Sequence, residues 1–380
     1  MQQLSETHQA FRATCRRFVE REIKPFATQW EEAEAFPREL FARAGAAGLL
    51  GAAFPEAYGG AGGDLLHALV MTEELIAGGS SGVAAGLGSL SIALPPILRL
   101  GSERQKQMFV PAVLSGDKVA ALAITEPGAG SDVAGTALRA RRDGDGDAYV
   151  LDGRKMFITS GCKADLIVSL ARTSDDPHQG LTFFVVEKTM AGFSASASLK
   201  KTGWRASDTA ELLYDGVRVP ASHRLGEEGS GFLSLMQTFV GERLMLSAMG
   251  HASAELALAE AINYVKQRQA FGKPLAGFQV TRHKLAQMAS ETRIAKVFNY
   301  HVAERAIAGQ DVAMDAAIAK NFSADVAQRV CHQAVQLFGG MGYMRETLVE
   351  RLSRDVRLLS IGGGTTEIMN EIISRLLPLR

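Results

Sequence analysis

The sequence predicts an α+β chain in three successive units: an N-terminal helical domain, a middle antiparallel β domain and a C-terminal helical bundle. Three observations carry this. From the start to about residue 111, apolar residues recur every three or four positions, with Phe11, Cys15, Phe18, Val19 and Ile23 on one face. From about residue 119 to 220 the period shortens to two, as in YVL at 149–151, LIV at 166–168, LTFFVV at 181–186 and ELLY at 211–214. From about residue 231 helical spacing returns in long segments, broken at FGKP (271–274), at Ala308 and Gly309, and at FGGMG (338–342). The expected domains are residues 1–118, 119–226 and 227–380.

Within the first unit, turns are expected at AFPEAYGG (53–60) and LPP (94–96). The most apolar window, residues 83–98, contains Ser89, Ser91, Pro95 and Pro96, and reads as two buried helices joined by a turn, not a membrane span. The start carries Glu6, Arg12, Arg16 and Arg17 in a helical pattern, so no secretory signal is expected. In the second unit DGDGD (143–147) marks a strand-to-strand turn.

A chain of 380 residues is too long for one core. Forty-one basic residues balance forty-one acidic ones, which argues against a nucleic-acid or anionic-membrane partner. Cys15, Cys162 and Cys331 are far apart without CxxC spacing, which fits a reducing compartment; a cytoplasmic location and no cysteine metal site are expected.

Several motifs carry no chemistry. GGSSG at 78–82 has the letters of a nucleophile elbow but follows a helix instead of a strand, so it reads as a turn. His301 and Glu304 share a helix face without a second histidine to complete a metal site. No GxGxxG follows a strand, so a Rossmann nicotinamide site is unsupported.

Three features do point to a site. In LAITEPGAGSD (122–132) an apolar run breaks into a loop where Gly128 and Gly130 let backbone approach a bound group closely and Pro127 stiffens the path. Glu242 interrupts the stripe Phe232, Leu235, Phe239, Leu246 and Met249 at helical spacing. A carboxylate there loses water and becomes a better base near neutral pH, or else serves as a structural partner of a cation such as Arg243. In LSIGGGTTEIM (359–369), three glycines before Thr365 and Thr366 either offer N–H groups to negative charge at a helix start or form a bare turn.

In this order the segments PEAYGG (55–60), TEPGAGSD (125–132), KMFIT (155–159), RASDT (205–209), RQAFG (268–272), QLFGG (336–340) and GTTE (364–367) resemble the acyl-CoA dehydrogenase family over essentially the whole chain. The resemblance implies a homotetramer of α, β, α subunits binding FAD. It sets the flavin against Leu122, Ile124, Thr125, Gly130, Ser131, Phe157, Ile158 and Thr159, with phenylalanine where many relatives have tryptophan at 157. Arg268, Phe271, Gln279, Gln336, Leu337, Gly339 and Gly340 correspond to residues reaching the FAD of a neighbouring subunit, and Thr365 and Glu367 close the other side. Ser131, Phe239, Arg243 and Gly364 correspond to substrate contacts.

The family's usual base precedes the last Gly-Thr; here that position is Gly363. Isovaleryl-CoA and long-chain members instead carry the base on a long helix before an arginine, which Glu242 and Arg243 match. The resemblance thus implies that Glu242 takes the α-proton while the Gly363 amide donates to the thioester carbonyl. The expected activity is dehydrogenation of a medium, long or branched acyl-CoA, with electrons passing to electron-transfer flavoprotein. Small residues Gly86, Gly88, Ser89 and Ala93 hint at a roomy pocket. The alternatives are a dehydrogenase or oxidase of a carrier-tethered acyl or aminoacyl group, and a flavin-binding scaffold without turnover.

Overall fold

The computed structural model describes residues 4–144 and 146–378; the middle of the expected DGDGD turn, Asp145, lies outside the described residues. Helices α1 (Glu6–Glu22), α2 (Ala27–Ala33), α3 (Glu39–Ala46), α4 (Leu65–Ala77), α5 (Ser81–Leu87), α6 (Leu90–Leu100) and α7 (Glu103–Leu114) come first. Strands β1 (Ala120–Ala123), β2 (Arg139–Asp143), β3 (Ala148–Thr159), β4 (Leu166–Arg172), β5 (Leu181–Glu187), β6 (Phe193–Ala195), β7 (Thr209–Pro220) and β8 (Arg224–Leu225) follow. Helix α8 (Gly231–Gln267), a two-stranded ribbon of β9 (Gln269–Ala270) and β10 (Lys273–Pro274), and helices α9 (Gln279–Ile307), α10 (Ala313–Phe338), α11 (Leu348–Asp355) and α12 (Thr366–Leu376) complete the chain.

The alternation in the strands has a direct cause. Successive side chains point to opposite faces, so a strand buried on both sides reads as continuously apolar. Leu166, Val168 and Leu170 of β4, with Leu181, Phe183 and Val185 of β5, enter the core shared with the helices. Ile167 and Ala171, with Phe184 and Val186, enter a second core formed within the sheet. Between them, the Ser169 and Tyr214 hydroxyls hydrogen-bond at 2.7 Å, so the polar positions there are satisfied.

The sheet runs β6-β7-β3-β2-β4-β5-β8, with β1 added alongside β4. It is mostly antiparallel, but β1 and β2 each pair β4 in parallel, which refines the wholly antiparallel expectation. The pairing of β3 with β7 slips between Lys155 and Ile158, a bulge that separates two side chains a regular strand would put on one face. Lys155 is fully buried while Phe157, at φ +60°, is 63% exposed.

One turn falls elsewhere than expected. Pro95 and Pro96 lie inside α6, and the break between the two apolar helices is at Gly88 and Ser89. Both lie beyond the first turn, so each removes a donor from the helix ladder. Pro96 and Ile97 are buried in the helical core, and that packing holds the segment helical. Although residues 81–100 are apolar enough to cross a membrane by composition, most of them pack inside the fold. GGSSG turns at residues 78–80 and then enters α5, which the Ser80 hydroxyl caps by accepting from the Val83 N–H.

Candidate active site

The loop after β1 is pinned by a buried ion pair. Lys155 Nζ donates to the Ile124 carbonyl at 2.7 Å and to Glu126 Oε1 at 2.8 Å. The Glu126 carboxylate also accepts from the Ala137 and Leu138 N–H groups, at 2.7 and 2.9 Å. The Met156 N–H donates to the Thr125 carbonyl at 2.7 Å. Burial pushes the Lys155 ammonium down to about 8, against the pull of Glu126, so it stays charged at neutral pH. The motifs assign no role to either residue; the available signal was a cation and a carboxylate set among apolar strand residues.

These bonds bring Leu122, Ile124, Thr125, Gly130 and Ser131 beside Phe157, Ile158 and Thr159. Gly130, Ser131 and Phe157 are exposed, Leu122, Ile124, Thr125 and Thr159 half-buried. Ile158 is buried in the sheet's core, so only its backbone is free to face a ligand.

Glu242 lies near the middle of the N-terminal half of α8, a 37-residue helix. Leu235 and Met249 of its stripe are core residues, while Phe232, Phe239 and Leu246 are half-buried against that core, as are Leu122 and Ile124 from the β side. Among the described residues, the Glu242 carboxylate has no hydrogen bond and no cation within 4.0 Å, so the structural pairing with Arg243 is not formed. Burial pushes its carboxyl up to about 7, with Arg243 and Lys320 pulling in the other direction. A half-buried carboxyl poised there can take a proton at neutral pH.

Gly363 faces this carboxylate, and it and Gly364 have φ +65° and +96°, backbone that favours glycine. A β-carbon built on Gly363 would sit 3.6 Å from Glu242 Oε1 and collide with Leu246 Cδ1 at 2.2 Å. Thr365 caps α12, its hydroxyl accepting from the Ile368 N–H at 3.3 Å, and Glu367 is exposed in the first turn. The Arg243 guanidinium is buried 5.5 Å from the centre of the Phe239 ring, with its Nε lacking a hydrogen-bond partner.

The remaining candidates form a separate group. Arg268, Phe271 and Gln279 stand on the ribbon and the start of α9, with Phe271 95% exposed at φ +50°. Gln336, Gly339 and Gly340 are exposed and Leu337 half-buried at the end of α10, where Tyr264 stacks on Phe338 at 4.1 Å. Among the described residues no hydrogen bond joins Arg268, Phe271 or Gln279 to the 122–132 loop or to the end of β3.

The β edge fits the flavin of FAD. An exposed aromatic face stands at the bulge, and nothing lies within 4 Å of where β-carbons on Gly128 or Gly130 would be, so the loop backbone is bare there. One histidine–carboxylate cluster occurs elsewhere among the described residues. His8 Nε2 and His67 Nδ1 each lie 2.9 Å from Asp64 Oδ1, and Ser5 and Asp64 form capping boxes with these histidines at the starts of α1 and α4.

Comparison with known proteins shows the family. The N-terminal, middle and C-terminal domain models of acyl-CoA dehydrogenases match residues 5–117, 121–217 and 229–377. The chain is 39% identical over 374 residues to the mitochondrial long-chain specific acyl-CoA dehydrogenase of Sus scrofa, covering 98% of this chain and 86% of that protein. It is likewise 39% identical over 370 residues to the short-chain specific acyl-CoA dehydrogenase of Megasphaera elsdenii, covering 96% of each. The crystal structure of a probable acyl-CoA dehydrogenase from Mycobacterium abscessus superposes with a TM-score of 0.95 at 45% identity, covering 98% of both chains. The chain belongs to the acyl-CoA dehydrogenase family of FAD-dependent oxidoreductases.

Proposed function

We propose that this enzyme dehydrogenates medium, long or branched acyl-CoA thioesters to the trans-2-enoyl products, with Glu242 as the general base and electron-transfer flavoprotein as the acceptor. The observation that carries this is the Glu242 carboxylate, unpaired, raised to about 7 and facing the 362–364 turn. Glu242 takes the proton from the carbon next to the thioester carbonyl. The Gly363 N–H donates to the carbonyl oxygen as negative charge grows there, an oxyanion-hole role that needs no side chain. The apolar stripe around Glu242 excludes water and keeps the carboxyl from being stabilised as a solvated anion. FAD, when bound beside Phe157, supplies the acceptor for hydride from the β-carbon.

A homotetramer is part of this proposal. It is supported by the exposure of Phe271 and of Val280 and Ile294 on α9, apolar groups that a neighbouring subunit would cover. A cytoplasmic location is proposed from three free thiols, Cys15, Cys162 and Cys331.

The test is anaerobic titration of the FAD-loaded protein with acyl-CoAs from butyryl to palmitoyl, isovaleryl-CoA included, alongside an acylated carrier protein. Flavin bleaching greatest with the longer or branched CoA esters supports the proposal. Bleaching by the acyl carrier alone, or by no thioester, would overturn it.

A further inference from the structure

We infer that Lys320 is a positioning residue for this reaction: it holds the glycine turn against Glu242 and, with Arg243, supplies positive charge near that carboxylate. The inference rests on the proposed role of Glu242. Lys320 is on α10, far in sequence from both groups, and is 1% exposed. Its Nζ donates to the Gly364 carbonyl at 2.6 Å. Among the described residues no carboxylate lies within 4.0 Å of it. A fully buried lysine without an ion-pair partner is rare, because removing an ammonium from water is costly unless another group compensates. Here the compensation is one carbonyl plus the fields of Glu242, Asp325 and Glu367, so the cost is tolerated at the place where the turn must be fixed.

The turn has reason to need an anchor. Gly363 and Gly364 have no side chains to pack, and glycine loses the most conformational freedom on ordering. Asn321, next to Lys320, adds a bond from its Nδ2 to the Thr366 carbonyl at 3.2 Å, so two consecutive α10 side chains hold this junction. The charges around the ammonium are Glu242 and Arg243 on α8, Asp325 on α10 and Glu367 on α12. Arg243 is a second buried cation without an ion pair. Two buried cations therefore act at longer range on one half-buried carboxylate, an arrangement that favours negative charge on Glu242 and on an oxygen held at the turn. Burial pushes Lys320 down to about 8, leaving it mostly protonated at neutral pH.

Three substitutions in the FAD-loaded enzyme separate anchor from charge. Lys320→Gln keeps a donor for the Gly364 carbonyl without charge, Lys320→Arg keeps the charge, and Lys320→Met removes both. Bleaching of the wild type by acyl-CoA is measured first; its absence would refute the role of Glu242 itself, not the role of Lys320. Given bleaching, we expect Lys320→Gln to move the acid limb of the single-turnover flavin-reduction profile up by about one pH unit. Lys320→Arg should bring that limb back towards the wild type, and Lys320→Met should also slow reduction at its pH plateau by about tenfold or more. A readout without turnover is the carbon-13 resonance of the Glu242 carboxyl in labelled enzyme, assigned by its loss in Glu242→Gln. It should titrate at higher pH in Lys320→Gln. Coincident titration in Lys320→Gln and wild type, or an unshifted limb, would overturn the inference even if Lys320→Met fails to fold.

Discussion

Glu242 Oε1 lies 3.6 Å from the point where a β-carbon on Gly363 would stand. The Glu242 side chain and any side chain that position 363 might carry would therefore share one small volume, which Leu246 already occupies in part. A carboxylate borne by either element would reach the same space.

Glu242→Gln keeps the shape of the site and removes the base. It should retain yellow FAD while substrate-driven bleaching slows by about 10²–10⁴-fold. Stopped-flow absorbance under anaerobic conditions measures this directly; near-wild-type bleaching would remove Glu242 from the mechanism.

Moving the carboxylate by Glu242→Gly with Gly363→Glu should recover little activity as it stands. The new β-carbon meets Leu246 Cδ1 at 2.2 Å, and a non-glycine residue must adopt φ +65°. Adding Leu246→Ala clears the contact, so the triple variant should bleach faster than the double. Equal rates would show that Leu246 is not the obstacle.

Protonation of Glu242 links activity to stability with opposite signs. Flavin reduction should rise with pH and level off above about 7, where the carboxylate is ionised. The folded-state value lies above the ~4.3 of an unfolded chain, so the folded protein holds a proton that the unfolded chain releases. This contribution to stability is full below about 4.3 and is lost as pH rises through about 7. Glu242→Gln should thus be more stable than wild type at pH 8 and show less advantage at pH 5. Thermal unfolding at both pH values tests the sign.

Much of this was legible from spacing. Glu242 stood out as a carboxylate in an apolar helical stripe, though spacing left a structural pairing with Arg243 open until the family resemblance was added, and the three domains followed from the change of period. Lys155 and Lys320 did not stand out. Each is a single cation whose partner lies 29 or 44 residues away, and nothing local distinguishes a buried lysine from a solvated one. The parallel pairing of β1 with β4 was equally hidden, since alternation reports which face is buried but not which neighbour is paired. The prolines of α6 misled because local propensity was overridden by packing.

Lys155→Met breaks a buried ion pair and strands Glu126, whose remaining partners are two backbone N–H groups. A loss of about 3–5 kcal/mol is expected, with FAD lost on gel filtration. Lys155→Met with Glu126→Gln should be less damaged than Lys155→Met alone, since no uncompensated charge remains. Denaturant midpoints and bound-flavin absorbance measure both.

Phe157→Ala should leave the stability of the FAD-free protein nearly unchanged, because the ring is 63% exposed and packs on little. FAD affinity should fall by about tenfold, the scale of one aromatic stacking contact. Phe157→Trp should keep it. Fluorescence titration of the stripped protein with FAD distinguishes the three.

The extra residue in β3 lets a lysine and an aromatic two positions apart serve opposite faces of one strand. Removing Met156 would make the two adjacent, and neighbours along a strand already point apart. A single-codon deletion there would restore regular pairing and still keep the ammonium and the ring on opposite faces. Parity, more than the methionine itself, is what this short stretch conserves.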